Sequence, residues 1–261
     1  YKTFIILLNY NTQYRLSNDD YDAFKKWDDI LLNLPNNYPT DKKIEISIEE
    51  NNYFEENVYI SNINYWHPNE LDINSGILGN SYIDPYSYVK DAIILISKPV
   101  LLRSQKDQSF NKSKLYWLLL RALGHIFAFN ESLALNGFIE IDGSSNLLYK
   151  GPETSAAIRE LKLMYPDNLS FNTDRIPIEM DDITSFNHVN YNWVDSYNTI
   201  RYYDGKELYS LASEIMTNFT TIPIGLYISK ITLGCLEDLH YDICYNKADP
   251  FPISSNPLNI A

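Results

Sequence analysis

Apolar positions along the chain change character near its midpoint. Residues 2–9 (KTFIILLN) form a short apolar run of the kind a buried strand gives, and residues 17–34 place Phe24, Trp27, Ile30 and Leu31 on one face at helical spacing. Ser17 is positioned to cap that helix, with Asp19 and Asp20 at its positive end. Residues 43–50 (KIEISIEE) alternate with period two, residues 57–63 read as a further strand, and residues 91–97 (DAIILIS) read as a central strand. Residues 109–129 then predict a long, largely buried helix with Ser109 as its cap. The order β-α-β-β-β-α predicts an α+β fold in which two helices back a mixed sheet.

Past Phe129 the periodicity fades. Residues 130–204 are rich in Asn, Ser, Asp, Gly and Pro, with one helix expected over 151–165 and another over 227–239. The expected division is an N-terminal lobe, 1–129, carrying the sheet, and a loop-rich C-terminal lobe, 130–261, closed by a terminal helix. No internal repeat or low-complexity linker interrupts either part.

With 261 residues and 45% hydrophobic content the chain is long and apolar enough to bury a substantial core. A net charge of −13 disfavours nucleic-acid phosphates and anionic membrane surfaces as partners. No apolar run approaches the roughly 20 residues of a transmembrane helix, and Phe4 to Leu8 is too short for a signal-peptide core. The lean toward Asn, Ile, Tyr and Lys reflects A+T-rich coding, which also accounts for the 22 tyrosines as well as an adhesive surface would. Cys235 and Cys244 are near enough for a disulfide if the chain reverses between them; alternatively they are small buried hydrophobes. Sequons at Asn111, Asn130, Asn168 and Asn218 arise readily by chance in a chain rich in Asn and Ser.

The helix of residues 109–129 carries the chemical question. It runs into Gly124-His125, the second half of the pattern H-E-x-x-H, with Arg121 in place of the first histidine and Ala122 in place of the glutamate. Other segments follow in a fixed order: YKGPETSAAI (149–158), IPIE (176–179), NWVD (192–195), EIMTNF (214–219) and ITLGCLEDLHYDICYNKADPF (231–251). In this order and spacing the chain resembles the leishmanolysin-like family of metzincin zinc endopeptidases over nearly its whole length. The resemblance maps NWVD onto the third histidine and the following tryptophan, EIMTNF onto the Met-turn, and the last segment onto the closing helix, whose usual glycine is here His240. The interval from Trp193 to Met216 is longer than in the compact family pattern.

The resemblance implies a metzincin-like fold whose zinc site is degenerate. Its ligand positions fall on Arg121, His125 and Asn192, with Ala122 at the general base and Met216 at the Met-turn. A catalytic zinc needs about three protein ligands and an open position, and one imidazole cannot supply them. A guanidinium ~4 Å from a divalent cation adds repulsion of roughly 8 kcal/mol at an effective dielectric of ~20. His188, four residues before Asn192, is the alternative third position. His125 is therefore expected to be structural, no cofactor is expected, and Arg121 is expected to be tied to a carboxylate, Glu131, Asp195 or Glu214, the alternative being that it points out to solvent.

No G-x-S-x-G elbow, phosphate-cradling glycine loop or activated thiol offers another chemistry. The expectation is a catalytically inactive pseudoprotease acting through protein partners, as a structural or binding component of an extracellular surface, shell or virion. Two alternatives carry different signatures. A divergent hydrolase would recruit a metal through His125, His188 and a carboxylate, and a peptide-binding decoy would pair extended peptides along an edge strand.

Overall fold

The computed structural model describes residues 6–10, 15–33, 43–52, 58–66, 88–98, 106–107, 112–164, 174–181, 190–193, 202–203, 206–207, 214–217 and 227–250. In chain order these form β1 (Ile6–Tyr10), α1 (Asn18–Ile30), β2 (Leu31–Asn33), β3 (Ile44–Asn51), β4 (Val58–Trp66) and β5 (Tyr88–Ser97). A short pair, β6 (Lys106–Asp107) and β7 (Lys112–Ser113), precedes α2 (Lys114–Phe127) and a helical turn, Ser132–Leu135. The remainder comprises β8 (Ile139–Ile141), β9 (Leu147–Tyr149), α3 (Pro152–Met164), β10 (Ile176–Asp181) and β11 (Asn190–Trp193). Then come β12 (Tyr202–Tyr203), β13 (Lys206–Glu207), α4 (Lys230–Asp238), β14 (Asp242–Ile243) and a 3-10 turn, Tyr245–Lys247. The fold is α+β with a mixed sheet.

That sheet has the order β1-β3-β5-β4, with β1, β3 and β5 parallel and β4 antiparallel along β5. Period-two alternation turns Ile44, Ile46 and Ile48 to one face, and the register aligns Ile48, Ile94 and Ile60 across three strands. All are buried, and α2 packs on β4 and β5 while α1 packs on α2. The two helices are also joined electrostatically. Ser17 caps α1 and Ser113, rather than the expected Ser109, caps α2. Lys112 and Ser113 are extended in β7, so the helix starts later than its apolar pattern implies, and Ser109 lies outside the described residues. Buried Asp20 accepts from Ser17 Oγ at 2.5 Å and from Ser113 Oγ, placing one carboxylate at the positive ends of both helices. Trp27 Nε1 donates to the Leu120 carbonyl at 2.8 Å and locks α1 onto the middle of α2.

Helix α1 ends at Ile30, four residues short of the predicted limit, because Leu31 turns extended and β2 pairs antiparallel with β14. The Cys244 N–H donates to the Ile30 carbonyl at 2.8 Å, and Lys26 pairs with Asp249 at 2.6 Å. The expected loop-rich half also contains a four-stranded antiparallel sheet, β11-β10-β9-β8. Its strands are three to six residues long, too short for periodicity to reveal. Residues from both sides of the 129/130 boundary, among them Trp27, Ile94, Leu123, Trp193, Met216 and Leu236, belong to one hydrophobic cluster.

Helices α3 and α4 cross unusually closely. A Cβ built on Gly234 would stand 2.7 Å from the Thr154 backbone, so only glycine permits the approach. Asp238, at the end of α4, accepts from Glu153 N at 2.8 Å, Thr154 N at 3.2 Å and Thr154 Oγ1 at 2.9 Å, capping α3 from a separate element. Tyr149 Oη donates to the same carboxylate at 2.7 Å.

Candidate functional site

Helical spacing sets Arg121 and His125 one turn apart on the same face of α2, and both are buried. Opposite them lies the tight turn Glu214–Thr217, closed by Thr217 N–H and Thr217 Oγ1 donating to the Glu214 carbonyl at 3.2 and 2.8 Å. Arg121 Nη1 donates to the Ile215 carbonyl at 3.2 Å and to the Thr217 carbonyl. The expected tie between α2 and the C-terminal half is thus made, and its described acceptors are peptide oxygens. Of the three carboxylates considered, Asp195 lies outside the described residues, and Glu214 is occupied with other donors. Glu131 lies half-buried just beyond the end of α2.

Met216 reaches α2 at Gly124. A Cβ there would fall 2.3 Å from Met216 Sδ, so the absence of a side chain allows the thioether to rest on the helix backbone beside His125. Strand β11 completes the group: Trp193 N–H donates to the Met216 carbonyl at 2.8 Å, and the Trp193 ring meets Phe129 and Tyr149 edge-on at 5.0 and 5.4 Å. The backbone of Asn192 pairs with Glu179 in β10, one residue from this contact. The structure therefore brings Arg121, His125, Met216 and the Asn192-Trp193 backbone into one neighbourhood. Ala122 is buried on the same helix and supplies no base. His188 lies outside the described residues.

The His125 ring is oriented by its own helix end. Its Nδ1 lies 3.2 Å from the Phe129 carbonyl, and because a carbonyl only accepts, this contact assigns the proton to Nδ1. Asn130 fixes that end: its Nδ2 donates to the His125 and Ile126 carbonyls at 2.7 and 2.8 Å, while its Oδ1 accepts from Ser132 N at 2.9 Å. Fully buried and engaged at both ends of its amide, Asn130 is a helix cap and no glycosylation acceptor in the folded chain. The sequence signal available was an Asn directly after an apolar helix, which the sequon reading obscured.

Glu214 is fully buried, and desolvation pushes its pKa above the ordinary glutamate range against hydrogen bonds from Ser229, Met216 and Thr232 that pull it down. Its Oε1 accepts from Ser229 N at 2.9 Å and Ser229 Oγ at 2.7 Å, and its Oε2 accepts from Met216 N at 3.1 Å. Since Ser229 caps α4, the carboxylate ties the Met216 turn to that helix. An acid whose folded pKa is raised contributes stability that is fully present below its unfolded pKa and is lost as pH rises through the folded value. Denaturant melts should therefore show a stabilising component from Glu214 that grows as pH falls toward the unfolded glutamate pKa of about 4.3. Glu214→Gln, which cannot ionise, should lack that component while being less stable at pH 7, because its amide nitrogen faces an N–H donor. Identical pH slopes in the two proteins would refute this assignment.

Cys235 and Cys244, which the spacing left open as a disulfide, are both free thiols. Cys235 is fully buried, and desolvation followed by the nearby Asp238 raises its pKa well above that of an exposed thiol, so it packs as a small hydrophobe. Cys244 is half-buried.

A zinc ion does not fit the described side chains around His125. Arg121 fills the helix face one turn from His125 with a permanent cation, Ala122 offers no oxygen, and among the described residues no three His, Cys, Asp or Glu side chains converge. Among the described residues no helix is long and apolar enough to cross a membrane. Comparison with known proteins finds no family model that matches the chain and no curated protein similar to it.

Proposed function

We propose that this chain is a metzincin-like pseudoprotease that has exchanged its zinc site for a guanidinium tie and acts through protein partners, as a structural or binding component of an extracellular surface, shell or virion. The observation that carries the reading is the convergence around Arg121. Segments matched separately to the active-site helix, the tryptophan after the third ligand and the Met-turn meet there, with Met216 lying against Gly124. The His125 ring supports it too, since a backbone acceptor at Nδ1 is how metal-binding imidazoles are commonly oriented.

A further correspondence lies at the closing helix. His240 has φ +66, and its N–H donates to Glu237 O at 2.8 Å while Tyr241 N–H donates to Leu236 O at 3.1 Å. This is the left-handed C-terminal cap that glycine favours, at the position where the family resemblance has glycine. His240→Gly should raise stability by about 0.5 to 1 kcal/mol in denaturant melts, relieving the strained φ against a modest chain-entropy cost. A loss of stability would count against the assignment.

The decisive experiment is metal stoichiometry. The purified wild-type chain should hold no stoichiometric transition metal, and one metal per chain would favour a hydrolase using His125, His188 and a carboxylate. The triple variant Arg121→His, Ala122→Glu and Asn192→His removes the cation and rebuilds two imidazoles and the base; calorimetry should then read about one zinc per chain. A folded triple variant that binds none would overturn the placement of Asn192 as third ligand position. Loss of binding when His188→Asn is added would move that position to His188.

A further inference from the structure

The turn Glu214–Thr217 directs its carbonyls in separate directions. The Glu214 carbonyl is used within the turn, the Met216 carbonyl is taken by Trp193 N–H, and the Ile215 and Thr217 carbonyls converge on one nitrogen of Arg121. Two peptide oxygens converging on one nitrogen between packed elements, with a carbonyl's partial negative charge on each, make a receptor for the NH2 group of a cation. The walls are preformed: Met216 is held on Gly124, the turn is anchored to α4 through Glu214 and Ser229, and β11 is fixed to the turn by Trp193. Removing the guanidinium stem would thus empty the seat without removing its oxygens.

We infer that the carbonyls of Ile215 and Thr217 form a binding site for a guanidinium cation, which the chain occupies with its own Arg121 as an internal ligand. The inference deepens the proposed guanidinium tie but rests on the turn geometry, so it holds whether or not the family resemblance does. Its chemical class is narrow. A guanidinium offers one NH2 group whose two hydrogens reach both carbonyls, and it is more weakly hydrated than an ammonium, so entering a buried seat costs it less.

The test is chemical rescue. Arg121→Ala and Arg121→Met are melted thermally with and without ~10 mM guanidinium chloride, far below the molar concentrations that unfold proteins, and with sodium chloride at matched ionic strength. For a site with Kd near 1 mM, the melting temperature of Arg121→Ala should rise by roughly 2 to 4 °C with guanidinium and stay flat with sodium. Wild type, its seat filled, should show no gain, and neither should Arg121→Met, whose stem obstructs the seat. If Arg121→Ala does not fold alone, its refolding yield with methylguanidinium gives the same readout. No rise in melting temperature and no gain in refolding would overturn the inference. An equal gain in wild type would show that guanidinium binds elsewhere and would overturn it as well. Failure here would leave the zinc result of the triple variant untouched, and a triple variant that binds no zinc would leave this result untouched.

Discussion

Asp238→Ala should lower stability by about 3 to 5 kcal/mol in denaturant melts, the largest loss expected from any single truncation considered. The carboxylate is buried and accepts four hydrogen bonds, from Tyr149 Oη, Glu153 N, Thr154 N and Thr154 Oγ1. Alanine leaves two N–H groups at the start of α3 and two hydroxyls facing one another across a gap, where Gly234 already holds α3 and α4 close together. Bonds to an ionised acceptor are each worth about 1.5 to 3 kcal/mol net, and sharing one carboxylate keeps their sum below simple addition. Asp238→Asn should recover part of the loss, since one amide oxygen still accepts. An alanine variant within 1 kcal/mol of wild type by the same melts would mean that water replaces the carboxylate, and the cap would lose its assigned weight.

The second large effect belongs to Arg121. Arg121→Ala should cost about 2 to 4 kcal/mol, because the Ile215 and Thr217 carbonyls lose their donor in a buried setting and the aliphatic stem leaves a gap beside α2. Arg121→Lys should fall between, keeping the charge but replacing a weakly hydrated guanidinium, whose Nη1 reaches both carbonyls, with a strongly hydrated ammonium. Hydrogen exchange offers a second readout: Trp193 N–H, which donates to Met216 O in the same turn, should lose protection in the alanine variant. Unchanged protection together with an unchanged melting temperature would show that the turn stands without the arginine.

Physical reasons separate what could be read from the sequence from what could not. The alternation of Ile44, Ile46 and Ile48 and the helical face of Phe24, Trp27 and Ile30 are local patterns imposed by burial on one side, and both elements stand where periodicity places them. The sheet β8 to β11 left no such trace, because strands of three to six residues hold one or two inward positions each and Pro177 and Asn192 sit within them. The cap of α2 was misplaced for a related reason: two serines precede the helix, and the choice of Ser113 is made by Asp20, more than ninety positions away. At the site, residue identities were legible and partners were not. The carbonyls of Ile215 and Thr217 that accept from Arg121 carry no signature in a sequence, because their convergence depends on the turn, while Asp195, one of the expected carboxylate partners, lies outside the described residues.

The pairing of β2 with β14 bears on how the chain acquires its shape during synthesis. Strand β2 follows α1 within the first 33 residues, yet its described partner is Asp242–Ile243, and Lys26 waits for Asp249. Contacts between positions more than 200 residues apart bring a large loop-closure cost early in folding, and they place a chain among the slower folders for its size. At ~5 to 20 residues added per second, the edge at Leu31–Asn33 stays uncovered for roughly 10 to 40 s after it leaves the ribosome. Over that interval an apolar edge that includes Leu31 is open to other nascent chains. Slowing translation over residues 34–240 should therefore lower soluble yield, and supplying a peptide of residues 241–250 in trans should raise it.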